Sequence, residues 1–156
     1  MLFLKNEPCL APFFVVIDRL ASPDDKPHSF EIMWHLEECA LKIDGQVFTG
    51  DFGEGVGLAA AMSDSSLKIT DMKGQHKPYF QGWMPIWIGG PHEHRPIPTP
   101  VAQGTFSRGR RIVTVLYPYR DGKNILRGVT ANVDPLSTSF TITLTDGTTR
   151  AFDERR

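Results

Sequence analysis

The side chains best suited to chemistry are concentrated between residues 83 and 95. His92 and His94 flank one residue, so on an extended backbone both imidazoles would lie on the same side and could share a metal ion. A barrel-type metal site also needs ligands further along the chain, and no histidine follows His94. The spacing favours a solvated loop, and a small metal-dependent barrel enzyme that uses this pair stays open as an alternative.

The same segment could bind a sugar. Trp83 and Trp87 are four residues apart, and aromatic rings offer flat apolar surfaces against which pyranose rings stack. Arg95 could donate charge-assisted hydrogen bonds to an acidic sugar. Trp83, Trp87, His92, His94 and Arg95 are therefore the candidate substrate-binding residues, with packing in a core or interface as the alternative role for both tryptophans.

Motifs for nucleophilic catalysis and phosphate binding are missing. The chain has no Gly-x-Ser-x-Gly elbow. The glycine-rich stretch 53–57 precedes no helical pattern and no Lys-Ser/Thr pair, so it is typical of a turn that enters a strand. The sequence assigns no catalytic residue, no metal ligand and no cofactor.

Turn signals divide the chain into short strands. Asp44-Gly45, Lys73-Gly74, Asp121-Gly122 and Asp146-Gly147 each separate two apolar or alternating runs, as hairpin turns do. No segment keeps a helical apolar period over ten residues. The pattern predicts one all-β domain over 1–156, an antiparallel β-sandwich of about a dozen short strands. The strands are predicted at 2–5, 12–18, 28–36, 39–43, 46–49, 56–61, 66–71, 78–84, 100–106, 110–117, 124–133, 138–144 and 147–152, and the proline-rich stretch 82–100 is predicted to be irregular.

The first two long strands are predicted to pair as a hairpin. With Asp18 opposite His28, the two side chains would form an ion pair that closes the loop between them. The same register brings Cys9 and Cys39 together at the open end, where either a disulfide or two buried thiols would fit.

Two strands are apolar on both faces. They are 13–17 and 112–117, whereas a strand of a two-layer sandwich needs only one apolar face. This pattern predicts a third layer, provided by a long loop, a second copy of the chain or another domain; another domain is favoured.

The net charge and hydrophobicity argue against nucleic-acid binding and against a membrane-spanning segment. A net charge of -1 with scattered basic residues argues against a nucleic-acid binder. No apolar run is long enough to span a bilayer, and the apolar start of the chain is too short for a secretory signal. Either the protein is cytoplasmic, or a signal lies outside this chain.

The order of these features resembles the C-terminal β-sandwich of the heparinase II/III-like polysaccharide lyases. An apolar strand ends in Ile17-Asp18-Arg19-Leu20, a polar loop leads to His28, and the next strand ends in Trp34-His35-Leu36. Further on, Thr114-Val115-Leu116-Tyr117-Pro118 is similar to a later strand of that family, and Asp146-Gly147 to its closing hairpin. The resemblance covers most of the chain.

This resemblance implies a layered sandwich of the galactose-mutarotase and lyase C-terminal type, in a longer protein with a helical domain before it. The family cleaves uronic-acid glycans by β-elimination, with catalytic and metal residues around an Ala-His-Asn type segment that this chain lacks. The chain alone is therefore expected to be inactive, to support the catalytic part and to line the glycan groove. An acidic polysaccharide, the missing helical domain or a second copy are the implied partners, in the periplasm or outside the cell. A stand-alone carbohydrate-binding module is the alternative.

Overall fold

The computed structural model describes residues 2–4, 10–86, 93–133 and 138–153. This part of the chain contains fourteen β-strands and no helix, so no helix there could cross a membrane. The prediction of an antiparallel all-β fold is confirmed. The strands are β1 Leu2–Leu4, β2 Phe13–Leu20, β3 His28–Met33, β4 Ala40–Asp44, β5 Val47–Gly53, β6 Val56–Met62, β7 Lys68–Asp71, β8 Trp83–Ile86, β9 Glu93–Pro96, β10 Pro100–Phe106, β11 Arg110–Tyr119, β12 Leu126–Val133, β13 Thr138–Leu144 and β14 Thr149–Asp153.

A six-stranded sheet in the order β1-β2-β11-β6-β5-β4 forms the middle of the molecule. One of its faces packs against the three-stranded sheet β12-β13-β14. Val15 and Val115 are directly opposite each other on that face and are fully buried against Phe140 and Ile142. Such strict alternation along a strand is what places one apolar row in each interface.

The other face of the central sheet is covered by a second three-stranded sheet, β3-β10-β7, and by the segment 34–39. Ile112 and Met62 pack there against Ala102 and Leu67. Both faces of β11 are therefore buried within this one chain from Ile112 to Val115. The prediction of a third layer is confirmed, but the preference for another domain as that layer is wrong, because β3, β10 and β7 provide it.

The predicted hairpin between the first two long strands is also wrong. β2 pairs with β1 and β11, whereas β3 pairs with β10 in the other sheet. Asp18 consequently lies opposite Ile112, and His28 instead bonds Asp24, with 2.7 Å between Nε2 and Oδ1. A strand that is apolar on both faces needs neighbours inside a covered sheet, and the half-exposed β3 cannot occupy that place.

The structure describes one of the two cysteines. Cys39 is a free, half-buried thiol, so the disulfide alternative is wrong, while Cys9 lies outside the described residues. Burial raises the pKa of the Cys39 thiol.

The Asp18 carboxylate is partly buried in the central sheet. Its Oδ2 is buried with no hydrogen-bond partner in the described part of the chain, and burial raises the pKa of Asp18 above its ordinary value of 3.8. Because the folded state holds the proton more tightly, stability is lost as the pH rises through the folded pKa. We expect Asp18→Asn to raise the melting temperature at pH 7 and to give a smaller gain near pH 4, as measured by thermal unfolding.

Asp24 provides the control with the opposite sign. The hydrogen bonds from His28 and the Lys26 amide lower the pKa of Asp24, so its contribution exists above the unfolded pKa and is lost on acidification. Asp24→Asn should lower the melting temperature at pH 7 and have less effect in acid. A gain from Asp18→Asn that does not change with pH would contradict the assignment.

Candidate functional site

A lobe formed by residues 72–86 and 93–99 lies between the end of β7 and the start of β10. Its backbone is closed around Gly82, whose carbonyl oxygen accepts hydrogen bonds from the amides of Gly74 and Ile97 at 3.0 and 2.8 Å. Gly82 has φ +72°, and a Cβ there would collide with the carbonyl oxygen of Met72. Only glycine fits this position, because it combines a left-handed backbone with backbone contact.

Two short strands of the lobe form a hairpin within the stretch that was predicted to be irregular. β8 and β9 pair antiparallel, with Trp83 opposite Pro96 and Pro85 opposite His94. The predicted strand 78–84 is wrong in its start, since the strand begins at Trp83. Prolines are tolerated because a two-stranded ribbon is all edge, and a missing N–H can face outward.

The hairpin register decides which candidate residues meet. Paired residues share a face, so Trp83 and His94 project to one side of the ribbon, and Met84 and Arg95 to the other. Arg95 forms ion pairs with Glu37 and Glu38, on the body of the protein. The structure therefore brings Trp83 and His94 together and separates Arg95 from them. Trp87 and His92 lie outside the described residues.

Four rings form what we call the aromatic platform: His76, Phe80, Trp83 and His94. Phe80 stacks on Trp83 with 5.3 Å between centroids and 11° between planes. The His76 ring lies 4.8 Å from Trp83, and the His94 ring meets Phe80 edge-on at 5.6 Å. The indole N–H of Trp83 donates to the carbonyl oxygen of Gln75 at 3.1 Å. This bond and the stacking fix the orientation of the platform.

The outer side of the platform is open to solvent. Phe80 is 55% exposed and its neighbour Tyr79 is 53% exposed. A half-buried tryptophan beneath an exposed stacked phenylalanine is a poor arrangement for stability alone, because the outer ring keeps most of its apolar area in water. Exposed aromatic clusters of this kind mark interaction sites more often than single exposed residues do.

The segment 72–86, which carries three of the four platform rings, is basic. Segment 72–86 contains Lys73, Lys77 and His76 but no aspartate or glutamate, although the whole chain has a net charge of -1. Both lysines are exposed, and neither forms an ion pair with a described residue. The lobe therefore carries an apolar aromatic surface and two exposed lysines, and Glu93 is the one acidic residue among its described residues.

Sequence reasoning found half of this platform. It identifies Trp83 and His94 but misses Phe80, which falls in the predicted strand 78–84, and His76, which lies outside every predicted strand. The aromatic residues next to the Lys73-Gly74 turn were the available signal. Among the described residues, no group of three or more histidine, cysteine, aspartate or glutamate side chains is arranged to hold a metal ion.

Comparison with known proteins gives a match at the level of fold. No protein-family model matches the sequence, and no curated protein does. Among solved structures, heparinase III with methylated lysines matches with a TM-score of 0.67 and 11% sequence identity, over 90% of this chain and 21% of that chain. This chain has the fold of one segment of a heparinase.

Two structures of heparan sulfate lyase HepC from Pedobacter heparinus match over the same share of this chain. The mutant enzyme gives a TM-score of 0.64 at 14% identity, and the other structure gives 0.62 at 16%. In each case the match covers 22% of the lyase chain. The chain thus spans about a fifth of the length of these heparinases, and the resemblance to heparinase-type lyases is confirmed for the fold.

Proposed function

We propose that this chain is the non-catalytic β-sandwich of a heparinase II/III-like polysaccharide lyase, and that its aromatic platform lines the glycan groove. The observation that carries the proposal is the fold match over 90% of the chain to one segment of heparinase III. In the proposed whole protein, a preceding helical domain carries the residues for β-elimination at a uronic acid. The sandwich supports that domain and contributes binding surface.

The chemistry of the platform fits an acidic glycan. The CH face of a sugar ring can bury itself against Phe80, where each 100 Å² of apolar surface removed from water contributes about 2.5 kcal/mol. Lys73 and Lys77 lie in the same lobe and can pair with carboxylate or sulfate groups of the glycan. Stacking supplies affinity for the ring, and the cations supply the preference for an acidic one.

The proposed role predicts that the chain alone does not cleave glycans. When it is incubated with heparan sulfate, alginate or hyaluronan, ultraviolet absorbance from unsaturated uronate should stay flat, because β-elimination needs a positioned acid and base from outside this segment. Retention of the same preparation on immobilised heparan sulfate shows that it is competent to bind. A steady rise in absorbance would overturn the non-catalytic assignment.

The proposed role also implies a place in the cell. A protein that acts on extracellular polysaccharide is exported, so we propose a periplasmic or extracellular location for the whole protein. This follows from the family resemblance alone. Fractionation of cells that express the full protein, with detection of this segment by antibody, tests it; detection in the cytoplasmic fraction alone would contradict it.

A stand-alone carbohydrate-binding module is the second candidate. It is favoured by the finding that β3, β10 and β7 cover the central sheet within this chain, so the domain needs no other domain to complete its core. A module would unfold cooperatively as a monomer and bind glycan unaided. A supporting domain of a lyase would instead gain affinity and stability when the rest of the lyase is present.

A further inference from the structure

A second surface, distinct from the aromatic platform, lies where β2 and β6 begin and β11 ends. It is a cleft of about 670 Å³. Backbone and side chains of these three strands and of the turn after β11 form its walls. They include Phe14, Val56, Gly57, Pro118, Arg120 and Lys123.

The strand register explains the apolar floor of the cleft. Phe14 of β2 is paired with Leu116 of β11, and Pro118 follows Leu116 two residues later on β11. Pro118 is in turn paired with Leu58, two residues after Val56. Since side chains two residues apart share a face, Phe14, Pro118 and Val56 all project from the same face of the central sheet.

The described part of the chain covers this face only in part. Leu58 and Leu116 pack under the segment 34–39, in the cluster around Leu36 and Phe48. Nearer the start of β6, Val56 is 43% exposed. Within the described residues, the cleft therefore continues the apolar interface under the segment 34–39.

Two cations stand at the rim of the cleft. Arg120 and Lys123 lie in the turn between β11 and β12, which is fixed by a 3.0 Å hydrogen bond from the Lys123 amide to the Arg120 carbonyl and by a 2.9 Å bond from the Gly122 amide to the Gly55 carbonyl. Neither side chain forms an ion pair with a described residue. Among the described residues that line the cleft none is acidic, and Asp121 lies between the two cations in the same turn.

We propose that this cleft binds a small amphipathic anion, namely an aromatic or alkyl ring system that carries a carboxylate or sulfonate. Sites for small molecules are clefts of roughly 300–1,000 Å³ with apolar walls and a few polar groups that fix orientation. The floor formed by Phe14, Val56 and Pro118 would take the apolar body. Arg120 and Lys123 would take the charge, which can stay partly hydrated at the rim.

The test uses the whole chain and two probes of similar size, naphthalene-2-sulfonate and neutral 2-naphthalenemethanol. Each is titrated while the backbone amide signals of Val56 and Gly57 are followed by NMR. We expect saturable shifts at both amides and affinity for the sulfonate about tenfold higher than for the alcohol, because two nearby cations each attract the anion.

Matched variants separate the charge from the apolar floor. Arg120→Gln with Lys123→Gln should remove the preference for the sulfonate and leave binding of the alcohol unchanged. Val56→Asn, at a position that is 43% exposed, should weaken binding of both probes. Lys42→Gln with Lys68→Gln removes the same charge from elsewhere on the surface and should change neither.

Three results would overturn the proposal. They are equal affinity for the two probes, shifts that map away from the cleft, and loss of the preference in the Lys42 and Lys68 control as well as in the Arg120 and Lys123 variant. Because neither probe resembles a glycan, failure here leaves the role of the aromatic platform unaffected.

Discussion

Replacing Phe80 by alanine is expected to weaken binding of a heparan sulfate oligosaccharide by about tenfold and to leave the fold unchanged. The ring is 55% exposed and forms the outer layer of the stack on Trp83. A sugar ring that covers about 60 Å² of its face gains roughly 1.5 kcal/mol, which corresponds to the tenfold change. Isothermal titration calorimetry measures the affinity, and thermal unfolding checks the fold.

Phe52→Ala is the matched control for this experiment. Phe52 is also exposed, at 38%, but it belongs to β5 and is not one of the four platform rings. Its replacement should leave the affinity for the oligosaccharide unchanged. If both variants bind as the original protein does, or if both lose affinity equally, the platform is not the binding surface.

The second large effect is expected at Gly82, where alanine should disrupt the lobe that carries the platform. The substitution forces an L-residue into φ +72° and drives Cβ into the Met72 carbonyl, while the ideal Cβ position lies only 2.8 Å from the Gly74 amide nitrogen. We expect a loss of about 3 kcal/mol or more. For a chain of this size that lowers the melting temperature by roughly 6–12 °C, and glycan binding should disappear with it.

Two other glycines distinguish the cost of a positive φ from the cost of a steric collision with an added Cβ. Gly147 has φ +86° with nothing within 4 Å of an added Cβ, and Gly128 has open space without a positive φ. Gly147→Ala should therefore cost about 1–2 kcal/mol, and Gly128→Ala should be close to neutral. An equal loss at Gly82 and Gly147 would mean that the close backbone contact in the lobe does not exist in solution.

Local signals in the sequence predicted the strands well. The alternation of Phe140, Ile142 and Leu144 with polar residues places them in one interface, and all three are buried there. Gly45 and Gly147 follow aspartates and adopt the positive φ that hairpin turns require. These features depend only on neighbouring residues, so a single sequence contains them.

Strand order was not predictable in the same way. β2 pairs with β11, which lies far along the chain, rather than with the next long strand, β3. Hydrophobic patterning says that a strand is buried on both faces, but it does not say which strand lies beside it. For the same reason the pattern correctly required a third layer, while its origin in β3, β7 and β10 could not be read from periodicity.

The site shows the same division between local and non-local information. Trp83 and His94 were selected for their residue types, and the hairpin places them on one face. Arg95 was selected for its charge, but alternation turns it toward Glu37 and Glu38, far away in the sequence. Phe80 joins the platform only because the backbone closes around Gly82, a tertiary feature with no local signature.

One NMR titration tests the central claim most directly. A size-defined heparan sulfate oligosaccharide is added to the isotopically labelled chain, and the amide and indole signals are followed. We expect saturable shifts concentrated at His76, Phe80, Trp83 and His94, including the Trp83 indole N–H, while the signals of Val56 and Gly57 stay unchanged. Saturable shifts elsewhere with the signals of those four residues unchanged, or no shifts at any oligosaccharide concentration, would contradict this expectation.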